Sequence, residues 1–303
     1  MKKVCVLLTG EMRTNPLSDD CLTTESVIES MATNIFNSRF KTSFESEVFI
    51  ATDCIDVVKA KEFFGDTLKN IHISKQNIRN PNTSLSETYL TPLVRRTPPI
   101  EYFLKLYDKY DLDGNDSFKY QVYQFYRALC CFNLVEDYTK YDYIVLLRPD
   151  LIYYNNFLDM FDLLEQNKEC HLVGNLNYYA VGRPHIMKHY CELSYKFGSY
   201  NKNKLNFDIR GDNICSLEFF NDPDTKRWTF SPEIQLACHL YIYCITNKLP
   251  ITKTLMKIVK EPDVLIVRHW MIDKCNICYV CNNGLAEKDE LYRHFKITNN
   301  TIK

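Results

Sequence analysis

The chain has 303 residues, 46% of them hydrophobic and 25% charged, with a formal net charge of -1. That balance belongs to a globular protein with a core of its own, and it excludes a global electrostatic drive toward nucleic acid or an anionic membrane. Only 8 glycines occur, and neither GxGxxG nor the GxxxxGK phosphate loop is present, which argues against dinucleotide-binding and P-loop folds.

The first residues, Met1 to Glu11, superficially resemble a signal peptide. Their apolar run of about six residues falls short of the roughly 7–15 such a leader needs, and Glu11 and Arg13 follow at once. No stretch approaches the roughly 18 apolar residues of a membrane span. With 13 cysteines spread without a framework of spacings, a reducing compartment is expected, hence a cytosolic protein.

Val4 to Thr9 reads as a buried first strand that closes at Gly10. The helical spacing of Val27, Ile28, Met31, Ile35 and Phe36 predicts a helix over 23–39. Glu47 to Ala51 reads as a second strand closing at Thr52 and Asp53, residues 56–64 as a helix, and Asn70 to Ser74 as a third strand. This alternation predicts an α/β layer with a largely parallel sheet. Residues 76–99 dissolve into polar residues and prolines, a long loop. Val122, Phe125, Leu129, Phe132 and Val135 predict a helix over about 118–138. Strands are expected at 144–147, 171–174 and 264–268, a helix over 232–247, and irregular chain over 198–229.

The most informative segment is Ile144 to Tyr153, where an apolar strand runs straight into Arg148-Pro149-Asp150. A strand buried on both faces ends in such residues when its carboxyl end opens onto something polar, and ligands of open α/β sheets sit there. Asp150 suits a hard cation through oxygen, and the planar fork of Arg148 suits phosphate. The same tripeptide also fits a solvated surface turn.

Leu8-Thr9-Gly10-Glu11-Met12-Arg13 after the first strand, a helix with Gln121 and Arg127, and Tyr141-Asp142-Tyr143-Ile144 leading to Leu147-Arg148-Pro149-Asp150 together resemble microbial and viral polysaccharide glycosyltransferases of the GT-A superfamily. The resemblance covers the first half of the chain well and the second half loosely. It implies a single GT-A-like, Rossmann-like domain over 1–303, with a mostly parallel central sheet flanked by helices. Residues 1–155 would form its nucleotide-sugar half and 156–303 its acceptor half. It further implies a nucleotide-diphosphate sugar as donor and a glycan or glycoprotein as acceptor. Asp150 falls on the metal-binding aspartate of the family's Asp-x-Asp element, which holds manganese or magnesium; Arg148 replaces the first aspartate. His269 stands where a carboxyl-terminal metal ligand is expected, with Arg268 beside it as a diphosphate contact. The nucleotide would lie over Thr9, Gly10 and Arg13 and over Thr52 and Asp53. Gln121 and Arg127 lie six apart and do not share one helix face cleanly, so Arg127 is preferred.

Candidate acid–base groups are Asp208, Asp212, Asp224 and Glu233. Glu233 leads, because Ser231-Pro232-Glu233 reads as a helix start, although an acid there also complements the helix dipole; Asp212 is second. Cys275, Cys278 and Cys281 invite zinc, with His294 or Cys191 as fourth ligand, yet lack the paired knuckles of such sites. Cys130 and Cys131 read as core thiols. Three other readings stand beside the transferase: a sugar nucleotidyltransferase, a methyltransferase, and a non-catalytic module binding a glycan or partner. The first two lack a glycine-rich first loop, and the Arg148 replacement keeps the third open.

Overall fold

In the computed structural model the described residues are 1–10, 31–52, 57–75, 86–89, 97–107, 116–149, 151–153, 158–166, 168, 170–175, 179–196, 232–248 and 264–266. Their strands are β1 (Lys2–Gly10), β2 (Phe44–Thr52), β3 (Leu68–Lys75), β4 (Ser86–Tyr89), β5 (Tyr143–Leu147), β6 (Leu151–Tyr153), β7 (Leu172–Asn175), β8 (Tyr179–Gly182) and β9 (Val264–Ile266). Their α-helices are α1 (Ser38–Ser43), α2 (Val57–Phe64), α3 (Ile100–Tyr107), α4 (Asp116–Asn133), α5 (Leu158–Gln166), α6 (Pro184–Cys191) and α7 (Pro232–Thr246).

Seven strands form one sheet in the order β4-β3-β2-β1-β5-β8-β7, and β6 pairs with β9 apart from it. The β3-β2-β1-β5 centre is parallel, as the apolar runs predict. Antiparallel partners flank it, β4 on β3 and β8 between β5 and β7, so the sheet is mixed. The chain steps outward from β1 through β2 to β3 and then returns to the other side of β1 as β5. The strand order therefore reverses between β1 and β5. The sheet also crosses residue 155, so both expected halves share it.

Alternation along the strands splits the core in two. Cys5, Leu7, Phe49, Ala51, Ile144 and Leu146 face α3, α4, α6 and α7. Val4, Val6, Leu8, Val48, Ile50, Val145 and Leu147 face α1, α2 and α5. A sheet covered on both faces explains why β1 and β5 read as continuous apolar runs rather than alternating ones. Cys130 and Cys131 are buried thiols in the first of these cores, as expected.

Several elements depart from the sequence reading. The helix expected over 23–39 is interrupted: residues 31–34 are helical, and α1 starts afresh with Asn37 accepting from the Phe40 amide. An asparagine in extended conformation caps a new helix better than it continues an old one. α4 ends at Asn133, short of 138, and Asp137 instead caps a 3-10 turn at Tyr138–Lys140. The stretch 76–99, read as loop, contains β4. Its Ser-Glu-Thr-Tyr sequence is a polar edge strand with no apolar alternation to betray it. The stretch 198–229 lies outside the described residues. Among the described residues no helix is long and apolar enough to cross a membrane.

Candidate functional site

The carboxyl ends of β1 and β5 lie side by side, because Leu8 pairs with Leu147. The next steps bring Gly10 against Arg148 and Pro149. Gly10 has φ +144, a conformation that L side chains rarely adopt, and a Cβ there would meet Pro149 Cδ at 3.0 Å and Arg148 Cγ at 4.0 Å. Glycine is thus required at Gly10 both by backbone conformation and by the close approach of the second strand. Gly10 and Arg148, 138 residues apart in the chain, meet at one point of the structure.

Polar side chains gather at this edge. Thr9 is 3% exposed, Thr52 1%, His72 4% and Arg127 3%. Thr9 pairs with Ala51, and Ala51 with His72, so Thr9 and His72 belong to one cross-strand row. Ala51 belongs to the core beneath α4, which puts both on the α4 face; Thr52, one residue on, falls on the other face.

The position of Arg127 follows from its helix. The Cys131 thiol donates to the Phe49 carbonyl at 3.2 Å and reaches the Leu8 carbonyl at 3.9 Å, so it sits over β1 and β2. The α4 carboxyl end lies at the amino edge of the sheet: the segment after it returns to β5 there, where the Asp142 amide donates to Lys3 O at 2.8 Å. Arg127 is four residues before Cys131, on the same face and about 6 Å nearer the carboxyl edge. That height matches the row of Thr9 and His72, given a strand rise of about 3.3 Å per residue. One turn further along, burial pushes the Tyr123 phenol up, with Glu101 adding to it and the Arg127 charge opposing.

Arg148, partly buried, and Arg127 give this edge two cations. Such a set fits an anion. A guanidinium close to strand ends supplies fixed donors for phosphate oxygens.

Comparison with protein-family models and with characterised proteins gives no match.

Of the expected site residues, Thr9, Gly10, Thr52, Arg127 and Arg148 fall on the carboxyl side of the sheet. Arg13, Asp53, Asp150, Asp212, Arg268 and His269 lie outside the described residues, as do Cys275, Cys278, Cys281 and His294. Glu233 is the second residue of α7, which begins at Pro232 as expected; its side chain is outside the described residues. Among the described residues no group of three or more metal-ligating side chains forms. Cys191, a candidate zinc ligand, is buried in the apolar core, where burial and then Glu192 push its thiol up, against metal binding as thiolate.

His72 was missed. A histidine alternating with isoleucines in Asn70-Ile71-His72-Ile73 reads as the wet face of a strand. The available signal is Asn70 and His72 on one face of a strand adjoining a buried one; both are buried, and His72 shares the face of Ala51.

Proposed function

We propose that the protein is a glycosyltransferase of GT-A type, moving a sugar from a nucleotide-diphosphate donor to a hydroxyl acceptor. The observation that carries this reading is the junction of Gly10 with Arg148 and Pro149 at the point where strand order reverses, with buried Arg127 at the same height. In open α/β sheets the crevice beyond that point is where ligands bind. Here it is polar and cationic, as a diphosphate demands.

In the proposed reaction the acceptor oxygen bonds to the anomeric carbon as the bond from that carbon to the diphosphate oxygen breaks. The acceptor proton passes to a base, for which Glu233 is the first candidate and Asp212 the second. Negative charge builds on the leaving diphosphate, and Arg148 and Arg127 stabilise it; preorganised cations in a site shielded from water act most strongly at that moment. Arg13 and Arg268 are candidates to join them. Asp150 and His269 are the candidates for manganese or magnesium.

The test is release of nucleoside diphosphate from UDP-, GDP- and dTDP-sugars, with manganese and with EDTA. Release from one donor that falls at least a hundredfold in Arg148→Ala supports the reading, and loss in EDTA assigns Asp150 and His269 as the metal pair. No release from any donor, together with no donor-induced rise in melting temperature, overturns it in favour of a non-catalytic module.

A further inference from the structure

Four histidines gather where α6 meets α7, away from the carboxyl-edge junction. The His189 and His239 rings stack face to face with centroids 3.7 Å apart and planes 9° apart. Tyr243 stacks on His189 at 4.3 Å and approaches His185 at 6.5 Å, and His171 meets His185 edge-on at 5.3 Å.

The stacked pair is also tied across the interface. His189 Nε2 lies 3.0 Å from the His239 carbonyl oxygen, and His239 Nε2 lies 2.8 Å from the His189 carbonyl oxygen. A carbonyl only accepts, so both Nε2 atoms donate and both neutral rings are Nε2–H tautomers, an assignment made from the bonds. Each helix gives one N–H and takes one. The arrangement holds with two neutral rings. A second proton on each would stack two cations at 3.7 Å.

The charged surroundings do little to compensate. From α6 and its ends, Arg183 and Lys188 are cationic, and Glu192 is already engaged by Lys188 at 2.5 Å. Lys196 faces His239 from the segment after α6, and His171 lies beside Arg183. Tyr243 and Cys244 on α7, and Tyr138 on the 3-10 turn, lie in the same neighbourhood. Burial first, then the His189 ring, lower His239 to about 3, and burial lowers His189 as well despite its bond to the His239 carbonyl. His171 and His185 are lowered by burial and by neighbouring positive charge.

We propose that this reciprocal histidine clasp is an acid-sensitive joint, whose protonation releases α7 from α6 while the central sheet stays folded. The main packing of α7 is against α6 and the 3-10 turn Glu192–Tyr195, and it adds Leu236, Leu240 and Cys244 to the core. β1 and β5 hold each other through a ladder that no histidine interrupts. A histidine lowered in the folded state contributes stability that is complete above its ordinary value of about 6.5 and is lost as pH falls from there toward the folded value. At pH 4.5, two units below that ordinary value, His239 alone shifts the docked-to-released ratio by about a hundredfold.

Hydrogen exchange of the whole chain at pH 7.0 and 4.5, corrected for intrinsic exchange rates, tests this. The expected result is a loss of protection of at least tenfold in 232–246 with protection kept in 2–10 and 143–147. His239→Gln, which keeps an N–H donor but cannot titrate, is expected to reduce that loss below threefold, and His189→Gln serves if the first variant does not fold. Unchanged protection of 232–246 in the natural protein at pH 4.5 overturns the proposal. So does simultaneous loss in all three segments, or a glutamine variant that releases α7 as readily as the natural chain.

Discussion

The two edges of the central sheet are built on opposite principles. At the amino edge charges meet one another in water: Lys2 pairs with Glu165 at 2.7 Å, Lys3 with Glu45 at 3.6 Å and Lys140 with Glu47 at 2.8 Å. Lys2, Arg39, Asp142 and Glu165 also rim a cleft of about 580 Å³ floored by Phe44, Tyr143 and Phe161. At the carboxyl edge Thr9, Thr52, His72 and Arg127 are buried instead, beside a glycine held in a conformation unfavourable to other residues. In that cleft Lys2 and Glu165 are already paired with each other. Polar side chains at the carboxyl ends of parallel strands, beside the point where strand order reverses, stand where ligands of open α/β sheets bind. The quieter edge is therefore the better candidate site.

Substitutions at the two edges sharpen the contrast. The largest effect is expected from Gly10→Ala. A φ of +144 and a contact with Pro149 Cδ at 3.0 Å should cost about 1–3 kcal/mol, seen as a lowered urea midpoint, and should abolish nucleoside diphosphate release. Arg127→Met, which keeps the length of the side chain without its charge, should leave the fold intact by circular dichroism and lower turnover at least tenfold.

Effects at the amino edge should be smaller and confined to stability. Burial raises the Glu47 carboxyl, but hydrogen bonds from Lys140 and Tyr141 and the charges of Lys140 and Lys69 outweigh it and hold the group below its ordinary range. Its contribution is present above that ordinary range and is lost as pH falls through the depressed value. Glu47→Gln should cost less than about 1 kcal/mol at pH 7 and flatten the acid limb of the stability curve. Lys3→Ala, removing half of a largely exposed pair, should change stability by no more than a few tenths of a kcal/mol and turnover not at all, in paired urea and activity assays.

The same contrast decides what the sequence discloses. β1, β2 and β5 are legible because burial on both faces leaves runs such as Tyr143-Ile144-Val145-Leu146-Leu147. α4 is legible because one apolar stripe faces the sheet. β4 is not, because an edge strand keeps polar residues that read as loop. β8, Tyr179–Gly182, was missed because four residues carry too little pattern, and its glycine marks close packing: a Cβ on Gly182 would meet Met187 Cγ at 2.8 Å.

Within the candidate site, Gly10 and Arg148 were legible as strand ends. Their meeting was not, since pairing of β1 with β5 rather than with β3 is a property of topology. Nor was the height of Arg127, which depends on the Cys131 thiol lying over the Phe49 carbonyl. His72 shows the limit of alternation as a guide. A polar face on a strand looks like a wet one until the helix covering it is known. The stacked pair of His189 and His239 has no sequence signature at all, because its partners are 50 residues apart and the tie runs through backbone carbonyls.

The central claim, that a nucleotide binds at the carboxyl edge between β1 and β5, is tested most directly by calorimetric titration of UDP, GDP and dTDP. The titrations compare the natural protein with Arg127→Met and with the amino-edge variant Lys3→Ala. The account predicts binding of one nucleotide, weakened at least tenfold by Arg127→Met and unaltered by Lys3→Ala. Binding that Lys3→Ala weakens while Arg127→Met leaves it unchanged, or no binding of any of the three, would contradict it.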